Sequence, residues 1–202
     1  GEGMRAVSGG TQTHLAVVKD VNRRGIPDLF VNSGYSGFYT DPKKYPNTFG
    51  GLGTYTVEAK ILGKYLKEKY PDKKIGILYQ SDDFGRNTVA GLTAAGLKFE
   101  KDKTSVSFIA GTQGSIGLAT QLGKLKANGV EIVIIGAVAS ATAVAYATAG
   151  ALAYKPAKWA VISVGADSTT FQTILGARGV PLANSAALLA GTLTASHAPA
   201  AG

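Results

Sequence analysis

The chain has 202 residues, 45% of them hydrophobic and 17% charged, which suits one large or two small globular domains and excludes a disordered chain. No apolar run reaches the ~18 residues that a membrane span needs, and the absence of cysteine excludes disulfides, thiolate metal sites and a cysteine nucleophile. With 21 basic and 13 acidic residues the net charge is +8, which favours an anionic partner or ligand.

Short apolar runs and clusters of turn residues predict helices and strands in alternation. The pattern predicts a helix over residues 12–23 and a strand over 26–31. Residues 36–53 are rich in Gly, Pro, Tyr and Asn, so they are predicted to form a loop or a crossover.

A second helix is predicted over residues 55–70, with Thr54 as its N-cap. Its buried face is predicted to carry Ile61, Leu62, Tyr65 and Leu66. Strands are then predicted over 74–79, 104–109, 131–136, 159–163 and 186–194, and helices over 83–97, 115–127, 140–153 and 169–175.

This alternation predicts an α/β fold with a doubly wound parallel sheet, since apolar strands alternating with helices are covered on both faces. Ligands of such sheets bind at the carboxyl ends of the strands, which places the candidate site in the loops at 80–85, 136–140 and 163–168. The first fifty residues cannot bury a core alone and are expected to be part of a second α/β unit.

The basic residues are densest between residues 60 and 74. This group consists of Lys60, Lys64, Lys67, Lys69, Lys73 and Lys74. Acidic residues lie among these lysines, and Lys60, Lys64 and Lys67 recur at helical spacing. A solvated helix face is therefore the favoured interpretation, with a partner-docking face as the alternative. Arginine is sparse, which argues against a nucleic-acid groove.

Motifs of enzymes are weak or missing in the sequence. The paired carboxylates Asp82 and Asp83 follow a predicted strand and could hold Mg²⁺, but a helix cap is the favoured interpretation. No GxGxxG after a strand, GxxxxGK[ST] or GxSxG motif is present. Neither His14 nor His197 has a visible Ser or Asp partner, so both are expected at the surface. The chain is therefore predicted to have no catalytic residue, metal or cofactor.

The loop at residues 32–39, NSGYSGFY, is dense in hydroxyls, aromatic rings and backbone N–H groups. That composition suits recognition of a small polar or aromatic molecule. The alternative is a tyrosine-rich turn packed on the crossover.

Five segments, taken together and in order, resemble the branched-chain amino-acid (leucine/isoleucine/valine-binding) family of extracytoplasmic solute-binding proteins of ABC transporters. The segments are GTQTHLAV at 10–17, IPDLFVNSG at 26–34, DPKKYP at 41–46, TYTVEA at 54–59 and ILYQSDDFG at 77–85. The resemblance implies a type I periplasmic-binding fold, in which two lobes close on a solute. It further implies an incomplete portion, with residues 1–50 as the end of lobe 1, 51–54 as a hinge crossing and 55–202 as a nearly complete lobe 2.

Positions that match the family's ligand contacts lie on both lobes. On lobe 1 the resemblance assigns Thr11, Gln12, Ser33, Gly34, Tyr35 and Ser36, whose hydroxyls and amides would hold a ligand carboxylate. On lobe 2 it assigns Tyr55, Asp83, Phe84, Val138, Ala139, Ser163 and Gly165. The loops near Val138 and Gly165 are apolar or small, where amino-acid binders often place a tyrosine and a carboxylate. We therefore expect a solute that lacks an α-ammonium and has an apolar or aromatic body, although Asp83 or Asp167 could serve as a cation partner.

The resemblance implies a non-enzymatic, periplasmic or extracellular component of an ABC uptake transporter, which captures a small carboxylate-bearing solute. A branched-chain amino acid-like or an aromatic or apolar acid fits this expectation, and a ligand-sensing domain of a receptor or regulator is the alternative. The expected partners are the solute and the ABC permease, with no nucleic acid, and with membrane contact only through the transporter or a lipid anchor outside this chain. A partial cleft should bind solute weakly or not at all. A dimer or a complementary fragment is also expected, because the partial lobe 1 should present an apolar surface to a partner.

Overall fold

The structure is a computed structural model, which describes residues 11–112 and 117–176. The helices are α1 Thr11–Arg23, α2 Gly37–Thr40, α3 Tyr55–Lys69, α4 Asp83–Ala94, α5 Ala119–Ala127, α6 Ala139–Ala151 and α7 Ser168–Leu175. The strands are β1 Asp28–Val31, β2 Thr48–Gly50, β3 Ile75–Gln80, β4 Ser105–Phe108, β5 Ile132–Gly136 and β6 Lys158–Val161. The strand predicted over 186–194, the start of the helix predicted over 115–127, and His197 lie outside the described residues.

The main sheet has four parallel strands in the order β4-β3-β5-β6, which confirms the predicted parallel α/β class. Every residue of β5 is buried, as its continuous apolar sequence IVIIG requires for a central strand covered on both faces. Helices α3 and α4 cover one face, where Leu66, Leu92 and Ile134 belong to one apolar cluster. Helices α5 and α6 cover the other face, where Leu122 and Tyr146 belong to a second cluster.

Residues 11–50 form a smaller unit, the amino-terminal segment, in which β1 and β2 pair in parallel. Its apolar cluster consists of Val18, Val31, Phe38 and Tyr45, with rings of Phe38 and Tyr45 5.3 Å apart, edge to face. The stretch 36–53, predicted as a loop or a crossover, contains the short elements α2 and β2, which the sequence analysis missed. Phe38 and Tyr45 bury their rings, and the backbone of β2 finds partners in β1.

Helix α3 begins where the sequence predicts. The Thr54 hydroxyl oxygen accepts a hydrogen bond from the Val57 amide at 3.3 Å, which confirms the N-cap. The predicted inner face was half wrong: Leu62 and Leu66 are buried, but Ile61 is 65% exposed and Tyr65 is 40% exposed. The reason is that α4 packs on the side of α3 that carries the glycine at 63, where Cβ of Ala95 approaches closely.

His14 is fully buried, so the expectation of a surface histidine was wrong. Its Nε2 lies 2.7 Å from Oδ2 of Asp28, and the same carboxylate oxygen accepts a hydrogen bond from the Thr48 hydroxyl at 3.0 Å. This buried polar group joins α1 to both strands of the amino-terminal segment. The partner Asp28 is fourteen residues away, on a strand, and the sequence gives no signal that the two meet.

No helix in residues 11–112 and 117–176 is both long and apolar enough to cross a membrane.

The close approach of α3 and α4 gives a test of the packing. A methyl group at Gly91 would lie 2.2 Å from the Thr56 carbonyl oxygen and 2.7 Å from Cβ of Ala59. We expect Gly91→Ala to destabilise the protein by about 1–3 kcal/mol through overpacking. Gly123 in α5 has no neighbour within 4 Å of the added methyl, so Gly123→Ala should stabilise by up to about 1 kcal/mol through helix propensity. Urea unfolding of both variants measures the difference, and equal effects would contradict this account of the interface.

Candidate functional site

The carboxyl ends of β3 and β5 mark the point where the strand order reverses. The chain leaves β3 toward β4 on one side and leaves β5 toward β6 on the other, so a crevice opens between the two strands. In open parallel sheets this is the place where ligands bind.

Gln80, the last residue of β3, spans that crevice with a buried side chain. Its Oε1 accepts a hydrogen bond from the Val138 amide at 2.7 Å, and its Nε2 donates to Oδ2 of Asp82 at 2.9 Å. The other oxygen of Asp82 accepts from the Gly85 amide at 3.1 Å, which confirms the predicted helix cap. Within the described part of the chain no group of three or more acidic or histidine side chains is placed to hold a metal ion.

The loop after β1 meets the start of α3 so closely that only glycine fits. The Gly34 carbonyl oxygen accepts a hydrogen bond from the Tyr55 amide at 2.9 Å. A methyl group at Gly34 would lie 2.5 Å from the Gly53 carbonyl oxygen and 2.7 Å from the Tyr55 ring. We call the contact region between the amino-terminal segment and helices α3 and α4 the junction.

Polar side chains hold the rest of the junction together. The Ser36 amide donates to Oδ1 of Asn87 at 2.8 Å, and its hydroxyl lies 2.7 Å from the Thr56 hydroxyl. Nε2 of Gln12, in the first turn of α1, donates to Oδ2 of Asp83 at 3.2 Å. Residues that are distant in sequence therefore line up beside the crevice.

Thr11 and Ser33 are buried behind this surface. Their hydroxyls are 2.7 Å apart, and the Ser33 hydroxyl oxygen also accepts from the Tyr35 amide at 3.0 Å. These two side chains therefore hold α1 against the loop after β1.

Asp83 and Arg86 form an ion pair at the junction. Oδ1 of Asp83 accepts a hydrogen bond from Arg86 at 2.9 Å while Oδ2 accepts from Gln12, so the carboxylate is already engaged. Burial, with a further contribution from the nearby Asp83 charge, raises the pKa of Tyr35. Beneath them the rings of Tyr55 and Phe84 are buried, with centroids 4.4 Å apart.

The ends of β5 and β6 supply the opposite wall. Val138 is 39% exposed there, and Ala139, the first residue of α6, is buried. Gly165 is buried as well, and a methyl group on it would lie 2.5 Å from the Ala137 carbonyl oxygen.

Ser163, at the end of β6, donates two hydrogen bonds to Glu58. Its amide lies 2.6 Å from Oε1 and its hydroxyl 3.0 Å from Oε2. Burial nevertheless raises the pKa of the Glu58 carboxyl, because desolvation of the charge outweighs these two bonds.

The structure brings Gln12, Tyr35, Ser36 and Asp83 together at the junction. It places Thr11, Ser33, Tyr55 and Phe84 in buried supporting positions, whereas Val138, Ser163 and Gly165 belong to the opposite wall. The sequence interpretation missed the side chains that tie these parts together. These are Thr56, Glu58, Gln80 and Asn87. Thr56, Glu58 and Gln80 lie in the quoted segments TYTVEA and ILYQSDDFG, whereas Asn87 lies outside them and carries no local signal.

A family model described as periplasmic binding protein matches residues 1–193. No significant match was found among curated protein sequences. Among solved structures, a periplasmic binding protein type 1 from Bordetella pertussis Tohama I is similar with a TM-score of 0.68 and 23% identity, over 85% of this chain and 46% of that protein.

A possible leucine/isoleucine/valine-binding protein from Rhodopirellula baltica SH 1 has a TM-score of 0.71 and 16% identity, over 86% of this chain and 47% of that protein. An extracellular ligand-binding receptor from Rhodopseudomonas palustris HaA2 has a TM-score of 0.69 and 18% identity, over 87% of this chain and 47% of that protein. At sequence identities of 16–23%, the similarity to these structures establishes the fold. The chain spans a little under half the length of these structures.

The environment of Glu58 predicts a pH-dependent stability. A carboxyl with a raised pKa takes up its proton in the folded state at a pH where the unfolded chain is still ionised, so lowering the pH stabilises the fold. The stabilisation is complete below the usual glutamate pKa of about 4.3 and is lost as the pH rises through the folded-state pKa. Glu58→Gln cannot titrate. We expect urea unfolding between about pH 7 and pH 4.3 to show wild type gaining stability relative to this variant as the pH falls. A difference that is constant with pH would contradict the account.

Proposed function

This chain belongs to the periplasmic binding protein family, and from that membership we propose that it captures a small carboxylate-bearing solute for an ABC uptake transporter. In this proposal it acts in the periplasm or at the cell surface, delivers the solute to the permease and catalyses no reaction. Residues 1–50 would belong to the first lobe, 51–54 to the hinge crossing and 55–202 to the second lobe.

The observation that carries the proposal is the junction itself. Side chains from two separate units meet beside the crevice at the strand-order reversal, where Gln12 contacts Asp83 and Ser36 contacts Thr56 and Asn87. Binding proteins that close by a hinge use such a boundary, because each lobe supplies part of the ligand's contacts.

The chemistry of the two walls supports a carboxylic acid over an amino acid. The acids available as ammonium partners are already engaged. Asp83 is bound by Arg86 and Gln12, Glu58 is bound by Ser163, and Asp167 accepts the Thr170 amide at 2.7 Å. Val138 offers an apolar surface at the end of β5. An ammonium buried in this cleft without a partner would cost several kcal/mol.

Matched solute pairs test this preference. We expect 4-methylpentanoate to bind more tightly than leucine, and 3-phenylpropanoate more tightly than phenylalanine, because each pair differs only by the α-ammonium. Dissociation constants for the chain alone should exceed about 1 μM, since the chain carries only part of a cleft. Titrations followed by backbone amide NMR measure the dissociation constants and the preference within each pair. Native mass spectrometry of the same sample shows whether a second polypeptide or a second copy is bound.

A designed carboxylate sharpens the test. Val138→Glu places an acid at the end of β5, so it should shift the preference toward the amino acids. Ile61→Glu adds the same charge to the exposed face of α3 and should leave the preference unchanged. Tighter binding of leucine than of 4-methylpentanoate by the wild type, or a sub-micromolar affinity of the chain alone, would refute the proposal.

A further inference from the structure

A cavity of about 440 Å³ lies at the amino ends of β3 and β4, on the edge of the main sheet opposite to the junction. The two edges are separated by the length of β3, about 16 Å at about 3.3 Å per residue. The end of α3, the turn into β3 and the connection from α4 to β4 line this cavity, which is open to solvent. Its lining residues include Lys67, Lys73, Lys74, Lys98, Glu100 and Thr104.

The cavity carries an excess of positive charge, with four lysines facing one glutamate. Glu100 forms its ion pair with Lys103, which lies outside the lining, at 2.8 Å. Lys73 is paired with Glu131 at 2.7 Å. For the remaining three lysines no carboxylate of the described residues lies within ion-pairing distance. Three lysines with no ion-pair partner among the described residues therefore line one concave space.

Local backbone features keep this space open. Gly96 has φ +86°, and a methyl group on it would lie 2.7 Å from the Lys67 ammonium, so the missing side chain leaves room for that cation. The buried Thr104 hydroxyl oxygen accepts the Glu100 amide at 2.8 Å. Within the described residues its proton has no acceptor, so it is free to donate to a bound anion.

The apolar part of the lining restricts the class of anion. Leu97 is buried and Tyr70 and Ile75 are half-buried at the cavity, so the space is not a simple hydrated charge patch. Its volume falls in the range of small-molecule sites. Lysine ammonium groups bind phosphate oxygens as point charges.

We propose that this cavity binds a phosphate ester. The lysines at 67, 74 and 98 neutralise the phosphate, while the apolar lining packs against the ester group. A soluble phosphate ester and the headgroup of an anionic phospholipid share this chemistry. The site does not depend on the solute site at the junction, since it uses none of the same residues.

The experiment uses the full chain and two probes. Backbone amide NMR follows a titration with glycerol 3-phosphate at low ionic strength, with glycerol as the uncharged control. Flotation tests binding to vesicles of phosphatidylcholine with phosphatidylglycerol, against phosphatidylcholine alone. The test variant is Lys74→Gln with Lys98→Gln, and the matched control is Lys60→Gln with Lys64→Gln, which removes the same charge from exposed positions on α3 outside the cavity.

We expect saturable shifts around Gly96 and Lys98 with glycerol 3-phosphate, and a loss of affinity of about tenfold or more in the test variant only. Flotation with anionic vesicles alone, abolished by the test variant only, would support the headgroup as the source of the phosphate. Equal losses of affinity in both variants would mean that binding depends only on the overall charge of the protein, and this would overturn the proposal. No saturable response to either probe would overturn it as well.

Discussion

The site depends on one contact, the hydrogen bond between the Gly34 carbonyl and the Tyr55 amide. It forms only because residue 34 has no side chain, and it sets the amino-terminal segment directly against the start of α3. With that distance fixed, Ser36 reaches both Thr56 and Asn87, and Gln12 at the start of α1 reaches Asp83. The crevice at the carboxyl ends of β3 and β5 thereby gains a second wall.

The two units differ in how they are stabilised. The main sheet has apolar clusters on both faces, whereas the amino-terminal segment has four buried apolar side chains and the polar group around His14. On the segment's strands Phe30 is 81% exposed and Phe49 is 55% exposed. The junction between the units is held by hydrogen bonds near water, each worth about 1 kcal/mol. Bonds of that kind break and re-form readily, as the hinge motion in the proposed function requires.

Elements whose signal is local were predictable from the sequence. The apolar run of β5, the Thr54 cap and the Asp82 cap each depend on residues within a few positions, and all three are confirmed. Errors occurred where a distant partner decides the outcome. The position of α4 decides that Ile61 is exposed, and Asp28 makes a buried position favourable for His14.

The candidate site follows the same rule. The strand-end residues are visible in sequence, because each follows an apolar run at the carboxyl edge of the sheet. The roles of Thr56 and Asn87 are not, because both depend on Ser36 of the amino-terminal segment, which lies far away in the sequence and bonds to each of them. Glu58 lies in the segment TYTVEA, but nothing near it in the sequence indicates that its carboxylate binds Ser163, which is 105 residues away.

Hydrogen exchange measured by mass spectrometry, with and without millimolar 4-methylpentanoate, tests the central claim most directly. If solute binds between the two units, amides in residues 33–36, 55–58 and 83–87 should become protected together, because one ligand would contact both units. The lysine-lined cavity around Gly96 should be unaffected and serves as an internal reference. Protection confined to one unit, or protection that is absent at the junction and present elsewhere, would contradict the account.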